Sequence, residues 1–116
     1  MIEAKVQTIG SEAINEENLL ILFNDTATAA LKNYSIIQAV QGEPVFDLQK
    51  FGKITFDEAE YQIEHIGSMA NQNLTDINHV TLIFDEVPAS DFIENGIYLT
   101  PYKLPKIKEG TVIRYS

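Results

Sequence analysis

The feature that most constrains the fold is a succession of short apolar runs, interrupted by turn-forming residues about every ten positions. Gly, Pro, Asn and Asp end most of these runs, and none is long enough to span a membrane as a helix. This spacing is typical of small all-β barrels and sandwiches. We therefore predict a mainly β fold, a small closed or partly open barrel of short strands with one or two short helices.

The apolar pattern predicts where the strands lie. They are expected at residues 3–9, 19–23, 34–40, 53–56, 61–66, 79–84, 96–99 and 111–115. The run at 19–23 is apolar throughout, which predicts a strand buried on both faces. In 79–84 the apolar residues Val80, Leu82 and Phe84 alternate with others, which predicts that they share one face.

Two segments favour short helices. Residues 26–33 are rich in alanine. Residues 68–78 follow Gly67, and Ser68 is the expected N-cap. The side chains predicted to face inward from the second helix are Met69, Leu74 and Ile77.

Length and composition indicate one cytoplasmic domain over residues 1–116. A chain of 116 residues suffices for one modest core. It contains no cysteine, which excludes a disulfide framework and thiolate chemistry. Its first ten residues lack the basic and apolar regions of a signal peptide. We therefore expect a protein of the reducing cytoplasm.

Charge is distributed unevenly along the chain. Residues 1–100 hold 16 acidic and 4 basic residues, a net charge of −12, whereas residues 101–116 have a net charge of +3. Such an acidic chain argues against binding to nucleic acid or to an anionic membrane. It suits a basic protein partner, whose approach it would steer. The alternative is that the charge only keeps the protein soluble.

His79 is the first candidate for chemistry, since the chain has no cysteine and no recognisable nucleophile motif. A neutral imidazole can act as an acid, a base or a phosphoryl acceptor. It stands at an expected junction of helix and strand, from which a side chain can reach the mouth of a pocket. The alternative is a structural histidine that hydrogen-bonds to the backbone. The residues by themselves leave both interpretations open.

His65 and the carboxylates are weaker candidates. His65 lies near the end of the expected strand 61–66, and the sequence leaves open whether the two histidines meet. Two separated histidines without clustered carboxylates have no metal-ligand spacing, and we expect neither metal nor cofactor. Adjacent acids such as Glu16 and Glu17 are interpreted as solvated turns.

Several short motifs resemble the IIA component of the glucitol/sorbitol-specific phosphotransferase system. The matching residues are Gly67-Ser68, Asn73-Leu74, His79-Val80-Thr81-Leu82 and Phe84-Asp85, with weaker matches at 8–10, 20–34 and 110–113. The resemblance implies a barrel-like cytoplasmic domain in a phosphoryl relay. A histidine would accept the group from an HPr-like phosphocarrier and pass it to the IIB domain of the membrane transporter, which also has a IIC component.

The sequence departs from this family at the phosphoacceptor. The family carries that histidine in the strand after the first short helix, where residues 34–42 contain none. Gln38 stands nearest the expected place, and an amide forms no stable phosphoramidate intermediate. His79 matches a second family histidine, which leaves it two roles: to support a phosphorylated ring or to be the acceptor.

The resulting hypothesis is a IIA-like relay component with His79 as the catalytic candidate. The binding candidates are Gln38, His65 and Asn73. The alternative is a non-catalytic relative that binds a protein partner or a small polar ligand, with a regulatory role.

Overall fold

The computed structural model describes residues 1–14 and 17–116. Glu16, one of the two acids interpreted as a solvated turn, lies outside the described residues. In chain order the elements are β1 (Ile2–Ile9), β2 (Leu19–Phe23), α1 (Ala29–Asn33), β3 (Ile36–Val40), β4 (Lys53–Phe56), β5 (Ala59–Ile66), α2 (Ala70–Ile77), β6 (Val80–Ile83), β7 (Gly96–Thr100) and β8 (Val112–Tyr115). The predicted mainly β fold with two short helices is confirmed, and each expected strand is present to within two residues.

The strands form a closed barrel in the order β1-β3-β2-β6-β7-β5-β4-β8. Strand β1 closes the ring because it pairs with β3 on one side and with β8 on the other. The pairs β2–β3 and β6–β7 are parallel, and the other pairs are antiparallel. Closure leaves none of these eight strands with an unpaired edge, which removes a template for aggregation.

The barrel interior takes alternate residues from each strand. Val80, Leu82 and Phe84 are fully buried, which confirms that they share one buried face. The prediction for 19–23 is wrong, because only Leu20 and Leu22 are buried and the alternate residues of β2 are partly exposed. In β2 one face lies inside the barrel and the other stays partly exposed, whereas every residue from Gly96 to Leu99 in β7 is buried. An apolar run therefore does not show by itself whether the outer face of a strand is covered.

The start of the second helix differs from the predicted N-cap, Ser68. Helix α1 is capped by Thr28, whose hydroxyl oxygen accepts a hydrogen bond from the Leu31 amide at 3.3 Å. Helix α2 begins after Met69 rather than Ser68, and Met69 is 44% exposed, so its predicted inward position is wrong. Leu74 is fully buried as predicted. Neither helix is long and apolar enough to cross a membrane.

The strand directions place two segments at opposite ends of the barrel. His79 immediately precedes β6, and residues 101–111 follow β7, which is parallel to β6 and adjacent to it. These segments therefore lie at opposite ends, called here the His79 end and the lysine end. Strands β2 and β3 run opposite to β6, so their last residues lie at the His79 end.

The connection between β3 and β4 is held against α2 by hydrogen bonds. The Phe46 amide donates to Thr75 Oγ1 at 2.8 Å, and the Leu48 amide donates to Asn71 Oδ1 at 2.8 Å. Both Phe46 and Leu48 are buried, and the Phe46 ring packs edge-on against Tyr115 at 5.2 Å between centroids. This connection covers the barrel interior at the His79 end.

Candidate functional site

The His79 ring is held by a hydrogen bond to the backbone of β2. Its Nδ1 lies 2.9 Å from the carbonyl oxygen of Leu22. A carbonyl oxygen can only accept, so Nδ1 carries the hydrogen. In the neutral ring Nε2 therefore keeps its lone pair, which is the form that a nucleophilic imidazole requires.

The Nε2 atom of His79 faces outward. Within the described residues Nε2 has no hydrogen-bond partner. It is also not one of the buried side-chain polar atoms that lack a partner, which are Ser35 Oγ and Glu64 Oε1. Nε2 is therefore reached by solvent. The ring also lies 4.5 Å from the Phe23 ring, with an angle of 35° between the planes. These contacts fix the orientation of the imidazole and leave one nitrogen accessible.

A tight turn between α2 and β6 positions the His79 backbone. Asn78 adopts the left-handed conformation (φ 53°, ψ 35°), and its side-chain nitrogen donates to the Leu74 carbonyl at 2.8 Å. Asparagine tolerates this conformation better than most residues and is common at helix ends. The His79 amide donates to the Asn73 carbonyl at 3.2 Å.

The binding candidate Asn73 thus supports His79 through its backbone. Its side-chain nitrogen donates to Asn95 Oδ1 at 2.9 Å and so joins α2 to the loop before β7. The structure places this side chain in a contact between two elements of the fold.

Gln38 lies in the barrel interior with only 1% of its surface exposed. Its Nε2 donates to the carbonyl oxygen of Asn78 at 3.0 Å, and its Oε1 accepts a hydrogen bond from the Tyr115 hydroxyl at 2.6 Å. The amide therefore links the last strand of the barrel to the residue that precedes His79. Both of its polar atoms are used within the protein.

Tyr115 is one of two residues of this candidate site that the sequence analysis missed. It is fully buried, and burial raises the pKa of its hydroxyl above the ordinary value of 10.0, an effect that the hydrogen bond to Gln38 partly offsets. The two residues are 77 positions apart, so no local pattern could have paired them. Asn78 also went unnoticed, although an asparagine that ends a helical pattern is a recognised signal.

Two polar pockets lie beside Asn78. One, of about 400 Å³, is lined by Asn24, Gly42, Glu43, Pro44, Thr75, Asp76 and Asn78. The other, of about 200 Å³, is lined by Gln7, Asn24, Asp25, Gln38, Ala39, Val40 and Asn78. Their linings include three carboxylates and neither lysine nor arginine. An anionic group that entered would find amides but no positive side chain in these linings.

His65 belongs to a different environment. Its ring stacks on Phe92 at 4.4 Å and meets the edge of Tyr98 at 5.8 Å. In the described part of the chain, neither histidine ring contacts the other. The structure thus brings Gln38 and Asn73 to the turn that carries His79, but it does not bring His65 there.

Comparisons with known proteins place this chain in a family. The family model described as the PTS system glucitol/sorbitol-specific IIA component matches residues 1–114. The chain belongs to this glucitol/sorbitol-specific IIA family. The glucitol/sorbitol-specific EIIA components of Escherichia coli (strain K12) and Shigella flexneri are 30% and 29% identical to it, each over 98% of this chain and 93% of the relative.

A solved structure supports the family membership at the level of the fold. The crystal structure of a PTS system IIA component from Enterococcus faecalis V583 superposes with a TM-score of 0.94 at 42% identity. The match covers 97% of this chain and 98% of that one. The resemblance drawn from short motifs is therefore confirmed along nearly the whole chain.

The family motif Gly67-Ser68 has a steric reason in this IIA-family chain. A Cβ atom at Gly67 would collide with the carbonyl oxygen of Glu94. The Gly67 amide also donates to the Gly96 carbonyl at 2.7 Å, so the two backbones lie close together. Glycine permits this approach, which joins the end of β5 to the start of β7.

Proposed function

We propose that this IIA-family chain relays phosphoryl groups from an HPr-like phosphocarrier to the IIB domain of a glucitol/sorbitol-type transporter in the cytoplasm. His79 Nε2 carries the phosphoryl group. The observation that supports this role is the hydrogen bond from Nδ1 to the Leu22 carbonyl, because it orients the ring and, in the neutral form, leaves the lone pair on the accessible Nε2. Gln38, by contrast, has no nucleophilic atom to offer.

The proposed transfer step is a displacement at phosphorus. The Nε2 lone pair attacks the phosphorus of the donor phosphohistidine while the donor nitrogen–phosphorus bond breaks, and its electron pair returns to the donor ring. The His79 ring gains positive character because Nδ1 keeps its hydrogen. The Leu22 carbonyl oxygen and the face of the Phe23 ring lie against it and stabilise that charge. Transfer to the IIB domain reverses these changes.

The acidic surroundings indicate how the donor would be recognised. Asp25, Glu43 and Asp76 line the pockets beside Asn78. They would attract a donor with basic residues around its phosphohistidine, and those basic residues would also neutralise the phosphoryl group during transfer. Binding of the HPr-like carrier should therefore weaken as the salt concentration rises.

A second candidate function is a non-catalytic, regulatory relative that binds a protein partner or a small polar ligand. Two observations favour it. Gln38 stands where the family resemblance expects the acceptor, and its amide is buried and fully used. The pocket linings beside Asn78 also contain no positive side chain that could hold a phosphoryl group.

Phosphorylation in a reconstituted relay separates the two candidates. The protein is incubated with phosphoenolpyruvate, enzyme I and HPr, and its intact mass is measured. The relay requires an acid- and heat-labile gain of one phosphoryl group that is lost in His79→Ala. His65→Ala is the matched control, because it removes an imidazole from the other environment and should keep the gain.

The absence of any mass gain in the parent protein would exclude the relay and leave the non-catalytic function. Gln38→His then provides the decisive variant, because it restores a histidine at the strand position expected from the family. If this variant became phosphorylated where the parent did not, the chain would be a relative that lost its acceptor at Gln38.

A further inference from the structure

The lysine end of the barrel carries three lysines within six positions of an otherwise acidic chain. Lys103, Lys106 and Lys108 are exposed within the 101–111 segment. In the described part of the chain none of them forms an ion pair, since the salt bridges there join Lys53 to Glu60 and Arg114 to Glu3. Residues 1–100 have a net charge of −12, so these unpaired ammonium groups are not explained by the general charge of the protein.

The backbone that carries these lysines is anchored to the barrel. Pro105 is buried, and Leu104 and Ile107 pack against the core. The Tyr61 hydroxyl donates to the Lys103 carbonyl at 2.9 Å, and the Lys108 amide donates to the Thr111 hydroxyl at 3.0 Å. A fixed backbone lowers the entropic cost of binding, because fewer residues must become ordered, and this is typical of a preorganised site.

A groove of about 410 Å³ lies between two of these lysines. Its lining consists of Phe56, Asp57, Ala59, Tyr61, Lys103, Leu104, Pro105 and Lys106. Most of these side chains are apolar, and the Asp57 carboxylate in the lining already accepts a hydrogen bond from the Val112 amide at 2.9 Å. The groove therefore combines an apolar floor with two free positive charges, and its volume is within the range of ligand pockets.

We propose that this groove binds an acidic peptide segment of a partner protein. An apolar side chain of the segment enters between Lys103 and Lys106, and flanking carboxylates meet their ammonium groups. A concave groove of this volume fits one side chain rather than a flat bilayer.

This site leaves His79 accessible because the two lie at opposite ends of the barrel. A partner bound at the lysine end can hold the protein while His79 meets another molecule. Peptide binding at the lysine end does not require phosphorylation of His79. The two are also tested separately, because the mass measurement reports on the His79 end and peptide binding on the lysine end.

Nuclear magnetic resonance of the full ¹⁵N-labelled chain tests the proposal. The probe is the acetylated and amidated peptide Asp-Glu-Phe-Asp-Glu, and we expect amide shift changes concentrated at residues 56–61 and 103–108. The double variant Lys103→Gln/Lys106→Gln should lower the affinity for the peptide about fivefold, as expected for the loss of two rim charges. The matched control Lys5→Gln/Lys50→Gln has the same change in charge at exposed lysines elsewhere and should keep the affinity.

Three results would overturn the proposal. Shift changes that are absent or spread over all lysine-bearing surfaces would show that no defined site exists. Equal weakening in the two double variants would show that only the overall charge matters. Co-sedimentation of the parent chain, but not Lys103→Gln/Lys106→Gln, with phosphatidylglycerol vesicles would assign the groove to a membrane surface. Replacement of the peptide phenylalanine by serine should abolish the shifts near Phe56 if the floor takes an apolar side chain.

Discussion

The two ends of the barrel are filled in different ways. At the His79 end, Tyr115, Gln38 and Asn78 form a chain of hydrogen bonds that leads from the interior to the residue before His79. Toward the lysine end, three buried aromatic rings pack against one another. Their centroids are 5.7 Å apart for Phe56–Tyr61, 5.0 Å for Tyr61–Phe84 and 6.3 Å for Phe56–Phe84.

This difference separates side chains that mainly stabilise the fold from side chains that mainly fix one another's positions. Aromatic packing removes apolar area from water and involves no hydrogen-bond partner that must be oriented. A buried hydrogen-bond chain stabilises less per group, but it fixes the position of each member. We infer that the aromatic cluster contributes more to folding, whereas the polar chain contributes more to the orientation of His79.

The largest effect is expected from Phe84→Ala. Removal of this fully buried ring should lower the free energy of unfolding by about 3–5 kcal/mol, because it leaves a cavity between the other two rings. Urea unfolding followed by circular dichroism measures the change. Phe92→Ala removes a phenylalanine that is 41% exposed and serves as the control, with a much smaller loss expected. Equal losses in the two variants would refute the special role of the cluster.

Tyr115→Phe should have an intermediate effect. It leaves the buried Gln38 oxygen without its donor, which should lower the free energy of unfolding by about 1–3 kcal/mol. The same variant should change the ¹⁵N shifts of the His79 ring, because Gln38 holds the Asn78 carbonyl. Tyr61→Phe is the control, since it removes a hydroxyl bonded to Lys103 and should leave those shifts unchanged. Unaltered His79 shifts in Tyr115→Phe would break the proposed link.

Alkaline pH should weaken the His79 end through the same hydroxyl. Since burial raises the pKa of Tyr115, the folded protein keeps this proton above pH 10 while the unfolded chain releases it. The contribution is complete below pH 10, and stability then falls by up to about 1.4 kcal/mol per pH unit as the pH rises.

Urea midpoints between pH 9 and pH 11.5 measure this loss. Tyr115→Phe should show a shallower decline, although some remains because burial also raises the pKa of Tyr61. A decline of the same slope in the parent and in Tyr115→Phe would contradict the assignment.

The smallest effect concerns the turn that carries His79. Asn78→Ala loses the side-chain bond to Leu74 and puts alanine at a positive φ, so we expect a cost of about 1–2 kcal/mol. Asn78→Gly loses the same bond but has no penalty for this conformation, and its cost should be below about 1 kcal/mol. Thermal unfolding of the two variants compares them directly. A cost for Asn78→Gly that equals that of Asn78→Ala would show that the backbone conformation is not what asparagine provides here.

Particular residues show how far sequence reasoning reached. The alternation of Val80, Leu82 and Phe84 correctly predicted a buried face, because the two-residue period is a local property of a strand. The apolar run at 19–23 gave a wrong prediction of burial on both faces, because uniform hydrophobicity does not show which face of a strand is buried. Ser68 was a poor guide to the start of α2, because the Ala70 amide, which an N-cap at Ser68 could bind, donates instead to the Gly67 carbonyl at 3.2 Å. The position of Gln38 beside Tyr115 could not be predicted from either residue.

The sequence by itself determined the strands, their turns, the family and the absence of histidine from residues 34–42, because these depend on the order of neighbouring residues. Tertiary structure alone decided that Gln38 is buried beneath Asn78, that His79 and His65 lie apart, and that the lysines stand opposite His79. The physical reason is that strands distant in the chain must pair to close the barrel. That pairing, rather than any local preference, sets which side chains share an end.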